Sequence, residues 1–485
     1  MLDKSTIAKL FCLILLSLFA PCLTWAQDLD RIFAESRMAV GKRPVIVIPG
    51  ILGSQLVNPA ANEVVWPSLK RSERDGISLP ISPRLSDNRD SLVAREVLGT
   101  IKTPFLVPEI KVYQDLLTSL QRYGGFREGN WDNPGKDDYR DTYYVFPYDW
   151  RRDNVETAQL LIKQIATLKA KLNRPDLRFN LVVHSMGGLI ARYAARYGDA
   201  NLPDEGKLPP ATWAGATSIN KIFMFGTPNQ GSAATLRTML KGYFSDSNLS
   251  KLVNSFTDKM TREDALTIPS LYQLLPHSSS VSFLDENLDP LEIDLYNPAV
   301  WLKYGWTIAG EEKYRANFPT GKVGGDCAPC SGGNLADLDA FLAVVLKRAK
   351  RFHEALDGPS NGEQRVPLYV YGGDCEATLV APVLLFDDKK GKWVTLTRPE
   401  DIKTSKGRKI LSKDVEKAMF APGDGRVSRR SLLGEDLMGA RRSQLVASVL
   451  PINYAVFACS EHGDLPNSKI LQDNAFTALV NEIMR

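Results

Sequence analysis

The chain has 485 residues, 44% hydrophobic and 24% charged, a globular balance and enough for one large decorated domain or two to three ordinary ones. A formal net charge of +4 is too small to argue for a nucleic-acid partner. There is no phosphate-binding glycine motif, no repeat and no low-complexity tract.

Lys4 and Lys9 precede the apolar run from Leu10 to Ala20, and Thr24-Trp25-Ala26 then offers a small-residue cleavage site. This pattern predicts a signal peptide over residues 1–26, cut before Gln27, and an exported, periplasmic or extracellular protein. Lipid attachment at Cys22 fits less well because Pro21 stands where a small residue is wanted, and the apolar run is short for an anchor. Four cysteines lie beyond it: Cys327, Cys330, Cys375 and Cys459. An even number in an exported chain points to disulfides.

In the mature chain, Pro44 to Pro49 reads as a buried strand running into the turn Gly50-Ile51-Leu52-Gly53-Ser54. Residues 61–110 show no period and are broken by five prolines, which predicts a functional insertion of the lid type. Trp66 within it suits packing better than substrate contact. Tyr113, Leu116, Leu117 and Leu120 mark one helix face. Thr142 to Phe146 is the next strand and leads into Pro147-Tyr148-Asp149-Trp150-Arg151-Arg152. Asp153 and Glu156 form a capping box for a helix with Leu161, Ile165, Leu168 and Leu172 on one face.

The stretch 178–198, RFNLVVHSMGGLIARYAARYG, organises the rest. Phe179 to Val183 is an apolar strand, it breaks at His184-Ser185-Met186-Gly187-Gly188, and a helix with Ile190, Tyr193, Ala194 and Tyr197 on one face follows at once. A serine on such a turn is lifted out of the sheet, above the free N–H groups of a helix N-terminus. The usual pattern is G-x-S-x-G, and Val183 occupies its first position. Lys221 to Phe225 is a further strand, ending in Gly226-Thr227-Pro228.

From 233 to 363 the chain turns helical and irregular, which predicts a cap inserted between core strands. Leu335, Leu338, Leu342 and Val345 mark a helix there, and its Lys347, Arg348, Lys350 and Arg351 suit either anionic lipid or plain solvation of a helix end. Val366 to Tyr371 and Asn453 to Ala458 are the last two core strands, with a hairpin (Thr378 to Phe386, Lys392 to Thr397) between them. Strands alternating with helices predict an α/β protein with a mostly parallel sheet.

A serine nucleophile needs a base. Of the four histidines, His184 adjoins Ser185 and would point away from it, and His277 and His353 lie in the cap. His462 follows the final strand, in the chain order nucleophile, acid, base of an α/β-hydrolase. The acid falls between the last two strands, where Asp374, directly after strand 366–371, and Asp424, in Pro-Gly-Asp-Gly, both qualify. The backbone N–H groups of Ile51 and Met186 are the candidate oxyanion donors. Cys327-Ala-Pro-Cys330 lacks further metal ligands nearby, so neither metal nor cofactor is called for. Cys375 and Cys459 each follow one of the last two core strands, whose ends should be neighbours, and are expected to pair.

Taken together, PVIVIPGILGSQL (44–56), FPYDWRRD (146–153), LVVHSMGGLIARY (181–193), FGTPNQGS (225–232), IPSLYQLLP (268–276), PGDGRVSRRSL (422–432) and EHGDLPNSKIL (461–471) resemble the lecithin:cholesterol acyltransferase family, which includes lysosomal phospholipase A2 and phospholipid:diacylglycerol acyltransferases. The resemblance implies an α/β-hydrolase core over residues 27–485 with a lid and a cap. It also implies Ser185 as nucleophile, Asp424 as acid, His462 as base, and a mainly structural Pro-Tyr-Asp-Trp-Arg segment. The expected substrate is a lipid ester, met at a membrane or lipid surface and passed to water or an alcohol through an acyl-enzyme. Two alternatives stay open: an esterase for a non-lipid ester, and a non-catalytic lipid-binding relative.

Overall fold

The computed structural model describes residues 34–67, 76–101, 109–243, 260–277, 281–318, 334–363, 366–436, 447–448 and 450–484. The proposed signal peptide and the Cys327/Cys330 pair lie outside them.

Seven parallel strands form the central sheet: β1 (Val45–Ile48), β2 (Arg127–Glu128), β3 (Thr142–Val145), β4 (Phe179–His184), β5 (Ile219–Phe225), β6 (Leu368–Gly373) and β7 (Ile452–Ala458). Their spatial order is β7-β6-β5-β4-β1-β3-β2. Side chains alternate between the faces, as the strand repeat of two requires. Ile46, Ile48, Leu181, Val183, Ile222 and Met224 join one core cluster, while Val45, Val47, Val182, Phe223 and Phe225 join another. The first face is covered by α2 (Asn154–Lys171), α3 (Met186–Tyr197) and α4 (Leu335–Asp357). The second is covered by α1 (Gln114–Arg122) and α5 (Lys469–Val480). This is a three-layer α/β-hydrolase arrangement.

Because the strands are parallel, their C-terminal ends meet along one edge. Ile48 lies beside Val183, His184 beside Phe225, and Gly373 beside Ala458. The loops leaving this edge carry every site residue proposed above except Asp424, which arrives by a detour. After β6, residues Glu376–Leu379 pair antiparallel with Phe420–Gly423, which delivers Asp424 back to the edge.

Local expectations fail at three places. The run from Thr378 to Phe386 is not one hairpin arm: it divides around Pro382, and only Val383–Asp387 pairs with Lys392–Leu396. The capping box at α2 does not form. Asp153 caps Val155 N–H at 2.8 Å, but its other oxygen accepts from Arg348 Nε at 2.6 Å, and Glu156 turns to Arg152 and Arg89. The basic run on α4 is likewise not uniformly solvated, although Lys347 and Lys350 are exposed. Arg348 is buried against Asp153, Lys347 pairs with Glu205, and Arg351 donates to the Pro203 carbonyl. A buried carboxylate and guanidinium left apart would each keep an unpaired charge, so Asp153 uses one oxygen for the ion pair and the other for the cap, and only the reciprocal Glu156 arm of the box is lost.

The described part of 61–110 holds more regular structure than its sequence suggested. Glu63–Trp66 and Val93–Val97 flank Ser54–Asn58 in a three-stranded antiparallel sheet. Trp66 is buried, donates to the Leu52 carbonyl at 2.9 Å and packs edge-on against Trp150. Asp90 anchors the segment by bidentate pairing with the fully buried Arg151 at 2.7 and 2.8 Å.

Candidate active site

Ser185 sits between β4 and α3 with φ 51° and ψ −124°, a conformation a non-glycine residue adopts only when its surroundings impose it. Those surroundings leave no room on either side of the turn. A Cβ on Gly187 would lie 2.6 Å from the Pro49 carbonyl oxygen, and one on Gly188 2.0 Å from Thr227 Oγ1. Val183, in place of the usual first glycine, is accommodated because it is still strand: it pairs with Ile48 and Met224 and is buried.

The Ser185 hydroxyl lies 2.9 Å from His462 Nε2, and His462 Nδ1 lies 2.8 Å from Asp424 Oδ2. A carboxylate only accepts, so Nδ1 carries the proton and the neutral ring presents Nε2 as acceptor to the serine O–H. The remaining Asp424 oxygen takes the backbone N–H groups of Arg426 and Val427 at 3.0 and 2.7 Å, so the carboxylate is held from three directions. The His462 backbone N–H donates to the Asp424 carbonyl at 2.9 Å, a second tie between the two residues. Asp374 is placed elsewhere. It is a third exposed and faces Arg429 at 3.7 Å. Of the two acids that qualified, the structure brings Asp424 to the imidazole.

The turn after β1 is braced on all sides. Tyr148 donates to the Pro49 carbonyl at 2.9 Å, Gly50 N–H donates to Tyr113 Oη at 2.8 Å, and Gly53 N–H donates to the Gly50 carbonyl at 3.1 Å. In a trans peptide the N–H points opposite to the C=O. With the Gly50 carbonyl turned to Gly53, the Ile51 N–H is therefore directed to the other side of the loop. Neither this N–H nor that of Met186, the first residue of α3, donates to another described residue. The Pro-Tyr-Asp-Trp-Arg segment supports the same turn. Tyr148 N–H bonds Ser54 Oγ at 3.1 Å, Trp150 Nε1 donates to the Ser54 carbonyl at 3.2 Å, and Arg151 binds Asp149 as well as Asp90.

Two residues here escaped the sequence reading. Tyr113 was assigned to a helix face, yet it precedes α1 and points its hydroxyl into the site. His184 does point away from the serine hydroxyl, but it contacts the backbone of His462. Its Nε2 lies 3.0 Å from the His462 carbonyl oxygen and its Nδ1 2.8 Å from Tyr113 Oη. No sequence signal joins residues 71 positions apart that share no motif.

Cys375 and Cys459 are joined by a disulfide with Cα atoms 5.3 Å apart, closing 84 residues of sequence separation. It links the ends of β6 and β7 three residues before His462. Mass mapping of the non-reduced protein should recover the two peptides linked, and reduction should cost about 2–4 kcal/mol of stability. Recovery of both as free thiols after export would refute the pairing.

No curated protein matches this chain significantly. Among solved structures, a chain in the crystal structure of the Tle4-Tli4 complex aligns over 90% of this chain and 98% of its own, at 13% identity and TM-score 0.52. EstA from Clostridium botulinum aligns over 92% and 89% at 12% identity, with TM-score 0.32. At such identities the first match speaks to the fold alone. The family model described as lecithin:cholesterol acyltransferase matches residues 136–304. The matched stretch carries the brace at 147–152 and the serine turn, and over it this chain is similar to the lecithin:cholesterol acyltransferase family.

Proposed function

We propose that this protein is an exported serine acyl hydrolase or O-acyltransferase acting on lipid esters through an acyl-enzyme. The observation that carries the reading is the hydrogen-bonded line Ser185–His462–Asp424, at 2.9 and 2.8 Å, on the strand-to-helix turn of a hydrolase fold. His462 takes the Ser185 proton as Oγ attacks the ester carbonyl, and Asp424 holds the ring and stabilises the imidazolium. The oxyanion is received by the N–H groups of Ile51 and Met186. His462 then protonates the leaving alcohol, and water or a second alcohol, deprotonated by the same imidazole, releases the acyl group.

The family match supports a lipid ester as substrate. The disulfide supports an oxidising compartment, and among the described residues no helix is long and apolar enough to cross a membrane. In this reading block 233–363 is a cap and 61–110 a lid insertion whose described part is anchored through Asp90. Transient contact with a lipid surface belongs to the same proposal. The test is mass spectrometry of products formed on mixed phospholipid, diacylglycerol and sterol vesicles. Free fatty acid, or acyl chains moved onto an alcohol, is expected. Turnover of short non-lipid esters with none of any lipid would overturn the lipid assignment.

A further inference from the structure

The nucleophile turn, the oxyanion turn and the loop of the base leave three different strands, yet acyl transfer requires them to hold fixed relative positions. One chain of hydrogen bonds under the site joins all three. Gly50 N–H meets Tyr113 Oη at 2.8 Å, Tyr113 Oη meets His184 Nδ1 at 2.8 Å, and His184 Nε2 meets the His462 carbonyl oxygen at 3.0 Å.

The proton positions along this chain are determined by its ends. A carbonyl oxygen can only accept, so His184 Nε2 carries a hydrogen. Burial, reinforced by the neighbouring His462, holds the His184 pKa well below the ordinary imidazole value, so the ring is neutral and Nδ1 is a bare lone pair. Nδ1 must therefore accept, and Tyr113 must donate its hydroxyl proton to it. That hydroxyl is available because burial raises the phenol pKa far above neutrality. The Tyr113 oxygen is then left as acceptor for Gly50 N–H. Every donor has one acceptor and the chain runs in one direction, from the oxyanion turn to the base.

We propose that Tyr113 and His184 are positioning residues, a proton-ordered strut that sets the placement of the oxyanion turn relative to His462. This rests on Ser185, His462 and Asp424 being the catalytic groups. At one end the strut occupies Gly50 N–H, so that the following N–H, of Ile51, is the one left to face substrate. At the other it holds the His462 backbone, whose N–H is already tied to Asp424. The His184 and His462 rings lie 4.9 Å apart, so a charged His184 would oppose formation of the His462 imidazolium. The neutrality of His184 is thus part of its role.

The strut predicts coupled losses in turnover rather than in binding. On a soluble short-chain nitrophenyl ester, Tyr113→Phe should lower kcat by about tenfold, the scale of one hydrogen bond. His184→Phe should lower it by about a hundredfold, the scale of a misplaced catalytic group. In both, KM should stay within about twofold of wild type and the rate of fluorophosphonate labelling of Ser185 should fall in step with kcat. Because one chain is broken in either case, the double variant should be no worse than His184→Phe alone. His184→Gln, whose amide N–H reaches towards the His462 carbonyl, should recover part of the loss.

Folded single variants with normal kcat, or losses that multiply in the double variant, would overturn the strut. If His184→Phe does not fold, Tyr113→Phe decides alone: normal kcat overturns the proposal, and so does failure to fold, which would make the chain an element of stability only. Ser185→Ala in the same series separates the two levels of the argument. Retained turnover there defeats the catalytic reading and the strut with it, whereas a silent Ser185→Ala beside fully active Tyr113→Phe and His184→Phe defeats the strut alone.

Discussion

Ser185→Ala is expected to fold normally and to lose ester turnover by about a thousandfold or more. The hydroxyl is the attacking group in the proposed reaction, and no other side chain stands within hydrogen-bond reach of His462 Nε2 among the described contacts. Folding should survive because the turn is shaped by its surroundings and not by the hydroxyl. The Ser185 backbone N–H donates to the Phe225 carbonyl at 2.8 Å, and its carbonyl accepts from Gly188 at 3.0 Å. Alanine keeps both bonds and meets the same backbone strain. The measurement is turnover on one soluble ester alongside the melting temperature. A folded variant with near-normal turnover would remove serine catalysis from the reading altogether.

The second large effect separates two aspartates. Asp424→Asn should cut turnover by about three to four orders of magnitude with little change in melting temperature, since asparagine Oδ1 can still accept the Arg426 and Val427 N–H groups. The loss arises at the other position. An amide NH₂ facing His462 Nδ1 needs an acceptor there, which moves the ring proton to Nε2, so that Nε2 has no lone pair left to take the serine proton. Asp374→Asn disturbs only a partly exposed contact with Arg429 at 3.7 Å, worth under about 1 kcal/mol, and should leave turnover nearly unchanged. Turnover of both variants at one pH decides the matter. If Asp374→Asn is the crippled enzyme, the acid is misassigned, while nucleophile and base stand.

The physical origin of the two aspartates' different fates is topological. Asp374 holds the position directly after a core strand, which is why strand order made it a candidate. The disulfide at the next residue and the onward pairing of Glu376–Leu379 with Phe420–Gly423 carry the chain away and bring Asp424 back in its stead. Nothing in the local pattern around residue 374 announces that detour.

What this sequence determined by itself were the features that depend on neighbours in the chain. Apolar runs marked strands β1, β3, β4, β5 and β6, because a strand buried on both faces must be largely apolar, and the half-exposed edge strand β7 was marked by its own apolar run. Four histidines, only one of them after the last strand, sufficed to nominate His462. Where several local preferences were satisfiable, tertiary structure chose between them. Asp153 and Glu156 read as a capping box, but Asp153 caps Val155 while pairing with buried Arg348, and Glu156 turns to Arg152. The two-residue edge strand β2 was too short to show a period at all. The strut from Gly50 through Tyr113 and His184 to His462 joins residues 63, 71 and 278 positions apart, so its partners met only once the order of the strands was set. Local sequence encodes which surfaces must be buried, whereas the identity of a buried polar group's partner depends on what packing places within 3 Å of it.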